Sequence, residues 1–458
     1  MKKIVFCLLA LMMTGVSASA CFAVIAGRGT TADGSVMLAH DEDDSGEQML
    51  NVYQVARGAV GDNVKYTWWE FPGMKVADAF MNEYGVACAS DGCPSREDVE
   101  DYTDGGVLYE VRTLIAQKAH SAREAVQLVG QLVTARGYAD SGRTYVVADC
   151  KEGWIISVVR GRHWVAQRIP DDKVMALPNN YIIDQIDLTD TDNFAGSPDL
   201  AEYAQKRGWW NPADGPFSFK KAYTDPKFYT RPSNVNRHQH ALEILTGKAY
   251  EPNPDSFEFC VTPKQKVTKE LLMEVLACHF AAEPDKNGQH ISGICTSVDI
   301  LAMIFQLRSN MPVEIGAMAW VAAGHPCVEA YLPWYSGMTQ SPKGFCRYAT
   351  AKEAIDKHFT DVKDKQKNYP DAMAWNFTDR WKAVTANYNA LIAGIKQQNQ
   401  QFQQKWFNNQ TKFEASLKKF YDAKTGKITN RQGLEAALNA YTAKAYKEYL
   451  GIIKKEKR

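Results

Sequence analysis

The residues best suited to chemistry stand near the start of the chain. Cys21 follows Ala18-Ser19-Ala20, and His40, Asp41, Glu42, Asp43, Asp44 and Glu47 crowd a short stretch beyond it. Upstream, Lys2 and Lys3 precede the apolar run IVFCLLALMM, and small residues then lead to the cysteine. This is the layout of a secretory signal with an A-x-A cleavage site. The apolar run is too short to span a bilayer, which takes about 20 residues. Cleavage after Ala20 gives Cys21 a free α-amine, so that a nucleophile carries its own base. An α-amine titrates at about 7.7–8.0 and a thiol at about 8.5, both close to neutral. The neutral amine can take the thiol proton and later return one to a leaving amine, which is acyl-transfer chemistry suited to amides. The rival reading is lipidation of Cys21, giving an anchored binding protein without catalysis. Lipoprotein signals favour a large aliphatic residue where Ala18 stands, and a polar tether where FAVIAG follows. The chemical role is therefore preferred.

Such a nucleophile must be held by elements on either side. FAVIAG and SVMLAH read as apolar strands, joined through RGTTADGS with its Asp33-Gly34 turn signal. The second strand returns beside the first, which brings the His40–Glu47 cluster near Cys21. The bland alternative for that cluster is a solvated acidic loop. NVYQVAR, KYTWWEF and the segment after Glu83–Gly85 continue as strands. YEVRTLIAQKAHSAREAVQLVGQLVTARG has helical spacing with a break near His120, and Ser121 suits a second helix's cap. TYVVADC, GWIISVV and HWVAQRI return to strands. Strands, two helices, then strands again predict antiparallel sheets with segregated helices, an α+β class. Residues 193–262 look loop-rich, LLMEVLACHF reads as helix, and VEIGAMAWVAAG and VEAYLPWY read as strands. From about Ala351 long polar helical stretches take over. The expected division is a signal peptide at 1–20, a catalytic domain at 21–350 and a helical extension at 351–458.

Composition narrows the classes of function. The 458 residues include 45% hydrophobic and 23% charged, with zero formal net charge, so a large core is expected and no basic face invites nucleic acid. A membrane enters only through lipidation of Cys21. Apart from Cys7 and Cys21, eight cysteines remain, an even number open to disulfides in an exported protein. Cys88 and Cys93 read equally as a disulfide or as two buried thiols. No C-x-x-C pair supports a zinc ribbon or redox dithiol, and His238-x-His240 reads as surface histidines before a metal pair. The oligomeric state, homo-oligomer included, is left open.

The stretch CFAVIAGRGTTADGSVMLAHDEDD resembles the start of the PepD-type cysteine dipeptidases, relatives of the secernins. NEYGVA, WIISVVRGRHWVAQRIPDD, PNNYIID, QLRSNMP and IGAMAWVAAGHPCVEAYLPWYSG extend the likeness from residue 21 to about 340. Phe22 replaces a usual Thr, Arg28 a usual Lys and Asp41 a common Asn. The resemblance implies an N-terminal-nucleophile hydrolase with four αββα layers, cutting dipeptides without metal or other cofactor. It implies Cys21 as nucleophile, Asp43 as the acid that braces it and Asn179 as an oxyanion stabiliser, where a turn residue after Pro178 is the plain reading. Arg237 resembles a late active-site arginine, against a surface helix arginine. His40, Asp41 and Arg237 are expected to meet the substrate, the acidic group through its ammonium. The same nucleophile suits other N-acyl substrates, namely bile salts, penicillins and N-acyl amino acids. Trp320 and Trp334 read as core or pocket walls. The expected location is the periplasm or the extracellular space.

Overall fold

The computed structural model describes residues 21–44, 48–280, 290, 293–360 and 363–456. The signal reading at 1–20 and the place of Glu47 lie outside these residues. Fourteen strands form among them. They are β1 (Phe22–Ala26), β2 (Val36–Asp43), β3 (Asn51–Val55), β4 (Tyr66–Glu70), β5 (Ala79–Asn82), β6 (Ala87–Gly92) and β7 (Tyr138–Ala148). Next come β8 (Gly153–Gly161), β9 (Trp164–Ile169), β10 (Val174–Leu177), β11 (Phe194–Gly196), β12 (Asp299–Leu307), β13 (Ala317–Ala322) and β14 (Leu332–Tyr335). One sheet runs β10-β1-β2-β12-β13-β14 and the other β11-β9-β8-β7-β6-β5-β4-β3. Every pair is antiparallel.

The two sheets lie face to face. β1 and β2 approach β6 and β7, and Trp69 of β4 meets Phe305 of β12 and Trp334 of β14 at ring distances of 5.7 and 6.2 Å. Gly153 shows how close they come: a Cβ there would stand 2.5 Å from Ile25 Cγ2. Helices Tyr109–Lys118 and Ala122–Arg136 cover the outer face of the eight-stranded sheet. Val111, Ile115, Val126, Val129 and Val133 pack there against Tyr145, Val147, Ile156 and Val158. Ser121 caps the second helix, accepting from Glu124 N at 3.1 Å, which contributes about 1 kcal/mol. Helices Pro232–Thr246 and Lys269–Leu276 pack on β10, β2 and β12 of the other sheet. The result is the expected αββα order of layers. Strands buried on both faces explain why β1 has no exposed residue and why it reads as a continuous apolar run.

Several expectations change in detail. Residues 193–262 hold a 15-residue helix, Pro232–Thr246, begun by Pro232 where the missing N–H costs nothing. Residues Val313–Gly316 form a short helix ahead of β13. β10 and β12 were not anticipated, yet they flank β1 and β2 and complete the site's sheet. Beyond residue 350, helices Ala374–Thr385, Tyr388–Ser416 and Arg431–Glu456 contribute Trp375, Phe402, Trp406, Leu434 and Tyr446 to the core that holds β1 and β2. Trp320 and Trp334 are buried there, and Trp334 Nε1 donates to Tyr446 Oη at 2.7 Å. His238 is buried rather than on the surface, edge-on to Phe257, and burial with nearby Lys220 pushes its imidazole down to about 3. Cys88 and Cys93 are free buried thiols. They face different cores, Cys88 the helix layer and Cys93 the space between the sheets. No helix among the described residues is long and apolar enough to cross a membrane.

Candidate active site

Three neighbouring strands bring the chemistry to one sheet end. In the β1/β2 pair Phe22 lies opposite Asp41, which sets Cys21 level with Glu42. In the β1/β10 pair Ala23 lies opposite Leu177, so Pro178 and Asn179 run on beside Phe22 and Cys21. The period of two then sorts the β2 side chains. His40 and Glu42 turn toward the other sheet, while Asp41 and Asp43 turn toward the helix layer. The bonds follow this division. Cys21 Sγ donates to Glu42 Oε1 at 3.2 Å, and His40 Nε2 meets Asp91 Oδ1 of β6 at 2.9 Å. On the other face Asp41 Oδ1 accepts from Phe22 N at 2.6 Å, and Asp43 Oδ1 accepts from Thr296 Oγ1 at 2.8 Å.

Arg237 ties these parts together from helix Pro232–Thr246. It is 2% exposed, so it is no surface arginine. Its Nη1 donates to the carbonyl oxygen of Cys21 at 3.3 Å, its Nη2 donates to Asn179 Oδ1, and its guanidinium lies 6.0 Å from the centre of the Phe22 ring. Asn179 gives one amide N–H to Gly92 O at 3.0 Å, and its own carbonyl accepts from Asn234 Nδ2 at 3.2 Å. An amide has a second N–H to give. Asn179 is therefore more than a turn residue: it connects β6, β10 and Arg237.

The electrostatics are those of a thiol enclosed by acids. Cys21 is wholly buried, and burial, then Glu42, Asp91 and Asp43, push its thiol well above the usual range. Burial lifts the Glu42 carboxyl to about 8, against the pull of Arg112 and Arg143. Arg112 Nη2 stands 3.8 Å from Glu42 Oε2. Burial and then Asp43 raise Asp41 well above the carboxylate range, and Arg237 opposes this. A thiol in such company stays protonated until a base removes its proton.

Each residue expected to work sits in or beside this cluster. His40, Asp41 and Arg237 were expected to meet substrate, and each has a protein partner that positions the Cys21 segment or its neighbours. Asp43 stands one step back from the thiol, with Glu42 as the side chain bonded to it. Sequence reasoning placed Glu42 in the acidic cluster without a role. The alternation along VMLAHDED, with Cys21 one residue before Phe22, was the signal for it. Asp91, Arg112, Arg143, Thr296 and Asp299 come from distant segments and gave no local signal. At the same strand end lies a cavity of about 150 Å³ lined by Asp44, Ser297, Asp299, Phe377 and Trp381. Asp299 is the register partner of Asp43. Among the described residues, two groups of donors have spacings that suit a metal ion: Cys21 with His40 and Glu42, and His279 with His290, Cys295 and Cys327. In the first, the contact of Cys21 with Glu42 and that of His40 with Asp91 already account for the arrangement.

Known proteins resemble this chain. A probable dipeptidase of Salmonella dublin is 26% identical over 71% of this chain and 83% of its own length. A probable dipeptidase B of Streptococcus pyogenes serotype M1 is 24% identical over 68% of this chain and 67% of its own. Among solved structures, penicillin V acylase from Agrobacterium tumefaciens aligns with a TM-score of 0.37 at 13% identity, over 72% of this chain and 89% of that one. A Caenorhabditis elegans N-acylethanolamine-hydrolyzing acid amidase ortholog aligns with a TM-score of 0.30 at 11% identity, over 62% and 92%. The profile of peptidase family C69 matches residues 99–387, a stretch that holds Asn179 and Arg237, four strands of the six-stranded sheet and four of the eight-stranded one. The chain belongs to peptidase family C69.

Proposed function

We propose that the protein is an exported dipeptidase whose nucleophile is Cys21, made N-terminal by removal of residues 1–20. The observation that carries this reading is the double hold on Cys21: its thiol on Glu42 and its carbonyl on Arg237, which also grips Asn179. Related proteins bearing the name probable dipeptidase support the substrate class.

The reaction runs in two halves. The neutral α-amine of Cys21 takes the proton from Sγ. The thiolate adds to the substrate carbonyl carbon, a C–S bond forms, and the carbonyl electrons move to oxygen. The second N–H of Asn179 is the group within the cluster suited to that oxyanion. Collapse breaks the C–N bond, and the proton held by the α-amine passes to the departing amino acid. Water then attacks the thioester, giving its proton to the amine, and the first amino acid leaves with the thiol restored. Glu42 holds the thiol in place, and Arg237 fixes the strand end on which both sulfur and amine sit. Asp44 in the neighbouring cavity suits the free ammonium of an unblocked dipeptide.

Two measurements test the reading. Mass spectrometry of the mature amino end is expected to find a free Cys21; a diacylglyceryl thioether there removes the nucleophile and overturns it. Purified protein is then given free and N-acetylated dipeptides together with bile-salt, penicillin and N-acyl amino acid amides. Cleavage of free dipeptides above all others is expected. Equal rates on acetylated ones refute ammonium recognition, and preference for the other amides refutes the dipeptidase assignment.

A further inference from the structure

We infer that His279, His290, Cys295 and Cys327 form a structural zinc site, separate from the Cys21 chemistry. Each offers one donor atom, and the four donors all lie within 4.8 Å of one another. Zinc takes sulfur at about 2.3 Å and imidazole nitrogen at about 2.0–2.1 Å in a tetrahedron, which puts neighbouring donors about 3.3–3.8 Å apart. Cys295 Sγ and His290 Nε2 are 3.4 Å apart.

The backbone brings the donors together from separate segments. Cys278 O accepts from Ile294 N at 3.0 Å and from Cys295 N at 3.2 Å, and His279 pairs with Gly293 in an antiparallel bridge. His279 and Cys295 are thereby fixed side by side. Cys327 comes from the turn after β13, where Val328 N and Glu329 N both donate to His325 O at 3.0 and 2.9 Å. Around the sulfurs lie Val328, Val384, Tyr388 and Ile395, and the Trp381 ring stands 5.1 Å from His290.

Chemistry favours a soft cation here. Two thiolates neutralise a dication, and a neutral unit can rest in an apolar surround where a lone charge cannot. Tyr388 Oη donates to Cys327 Sγ at 3.5 Å, the outer hydrogen bond a ligating thiolate accepts. His279 Nε2 is buried with no hydrogen-bond partner, whereas buried polar atoms are nearly always paired. Four protein ligands leave no position for water, so the ion staples rather than catalyses. Binding forms two Zn–S bonds and releases the two thiol protons to solvent. The ligands come from three stretches of chain, which is why no C-x-x-C spacing announced them. The staple has a position of consequence: Thr296, next to Cys295, holds Asp43.

The experiment uses the full mature chain, purified with its thiols reduced, supplied with zinc sulfate and freed of excess. Elemental analysis is expected to give one zinc per chain. Cys295→Ser and His290→Ala are expected to lose it, with Cys150→Ser keeping it. Should those variants fail to fold, the wild-type chain still decides. Iodoacetamide mapping is expected to protect Cys295 and Cys327 until a chelator exposes both. Absence of zinc, zinc retained in Cys295→Ser, or a Cys295–Cys327 disulfide in the mapped peptides would each overturn the site. None of these outcomes depends on whether Cys21 cuts dipeptides.

Discussion

Among the described residues two clusters enclose buried thiols, and they are closed by opposite means. Around Cys21 the partners are carboxylates and guanidiniums, Glu42 and Asp91 against Arg112, Arg143 and Arg237. Around Cys295 and Cys327 the donors are sulfur and imidazole, under an apolar cover. Acids around a thiol hold its proton on, so reaction waits for a base. Imidazoles around two thiols build the donor set of a soft cation. Thr296 stands between the two, with its hydroxyl on Asp43 and its chain neighbour in the second cluster. On the proposed reading, the contrast separates a sulfur kept for reaction from sulfurs kept for holding.

The largest expected effect is at Cys21, the proposed nucleophile. Cys21→Ala should lower dipeptide kcat/KM by about 10⁴-fold or more, with melting temperature near that of the wild type because an alanine keeps β1 intact. Activity within tenfold of the wild type would remove Cys21 from the reaction. Next comes Arg237. Arg237→Met leaves the Cys21 carbonyl and the Asn179 amide without their shared donor in a buried site. A fall of about 10²-fold in kcat with a smaller change in KM is expected, together with about 3–5 kcal/mol of stability as read by urea titration. Arg237→Lys should recover part of the stability but little of kcat, since one ammonium cannot reach both oxygens with the fork of a guanidinium.

How far the sequence discloses this arrangement differs between the two clusters. The Cys21 end is legible because it is local. An apolar strand, a turn at Asp33-Gly34 and an acidic strand end occur within one hairpin, and the observed β1/β2 register joins them. Gly34 takes a φ of +75° there, as the turn signal implied. The α+β class follows from the order of strands and helices, and the αββα layering from the likeness to the dipeptidases. The helix Pro232–Thr246 was obscured by proline, asparagine and aromatic residues in its surroundings, and it carries the buried Arg237. β12 is obscured because ILAMIF is a continuous apolar run between Asp299 and Gln306, without an alternation to mark it. Asp299 and Thr296 went unread with it. The second cluster was illegible because its donors meet only through tertiary structure.

Glu42→Gln tests what the acids do to the thiol. The folded Glu42 carboxyl is raised to about 8 from 4.5. A raised carboxyl favours the folded state at low pH, and that contribution is lost as pH climbs from 4.5 toward about 8. Glu42→Gln should therefore flatten the stability profile across that window, by up to a few kcal/mol. It also removes a negative charge from beside the sulfur, so iodoacetamide should alkylate Cys21 at lower pH than in the wild type. An unmoved alkylation profile would mean that Glu42 only orients the thiol.

The smallest effect is expected at Thr296, and it bears on whether the two clusters communicate. Thr296 Oγ1 lies 2.8 Å from Asp43 Oδ1 and 3.1 Å from Asp299 Oδ1. One hydroxyl has one proton, so only one carboxylate can receive it at a time. Burial and then Asp43 push Asp299 well above the usual carboxylate range. Thr296→Val keeps the shape and deletes the donor. A loss of about 1–2 kcal/mol is expected, with a few-fold fall in kcat and zinc content unchanged. Chelation of zinc then discriminates between two routes. If it lowers kcat in the wild type but not in Thr296→Val, the staple acts on Asp43 through that hydroxyl. If it lowers both alike, the clusters are coupled through the backbone between Cys295 and Asp299, and the side chain of Thr296 is incidental to the link.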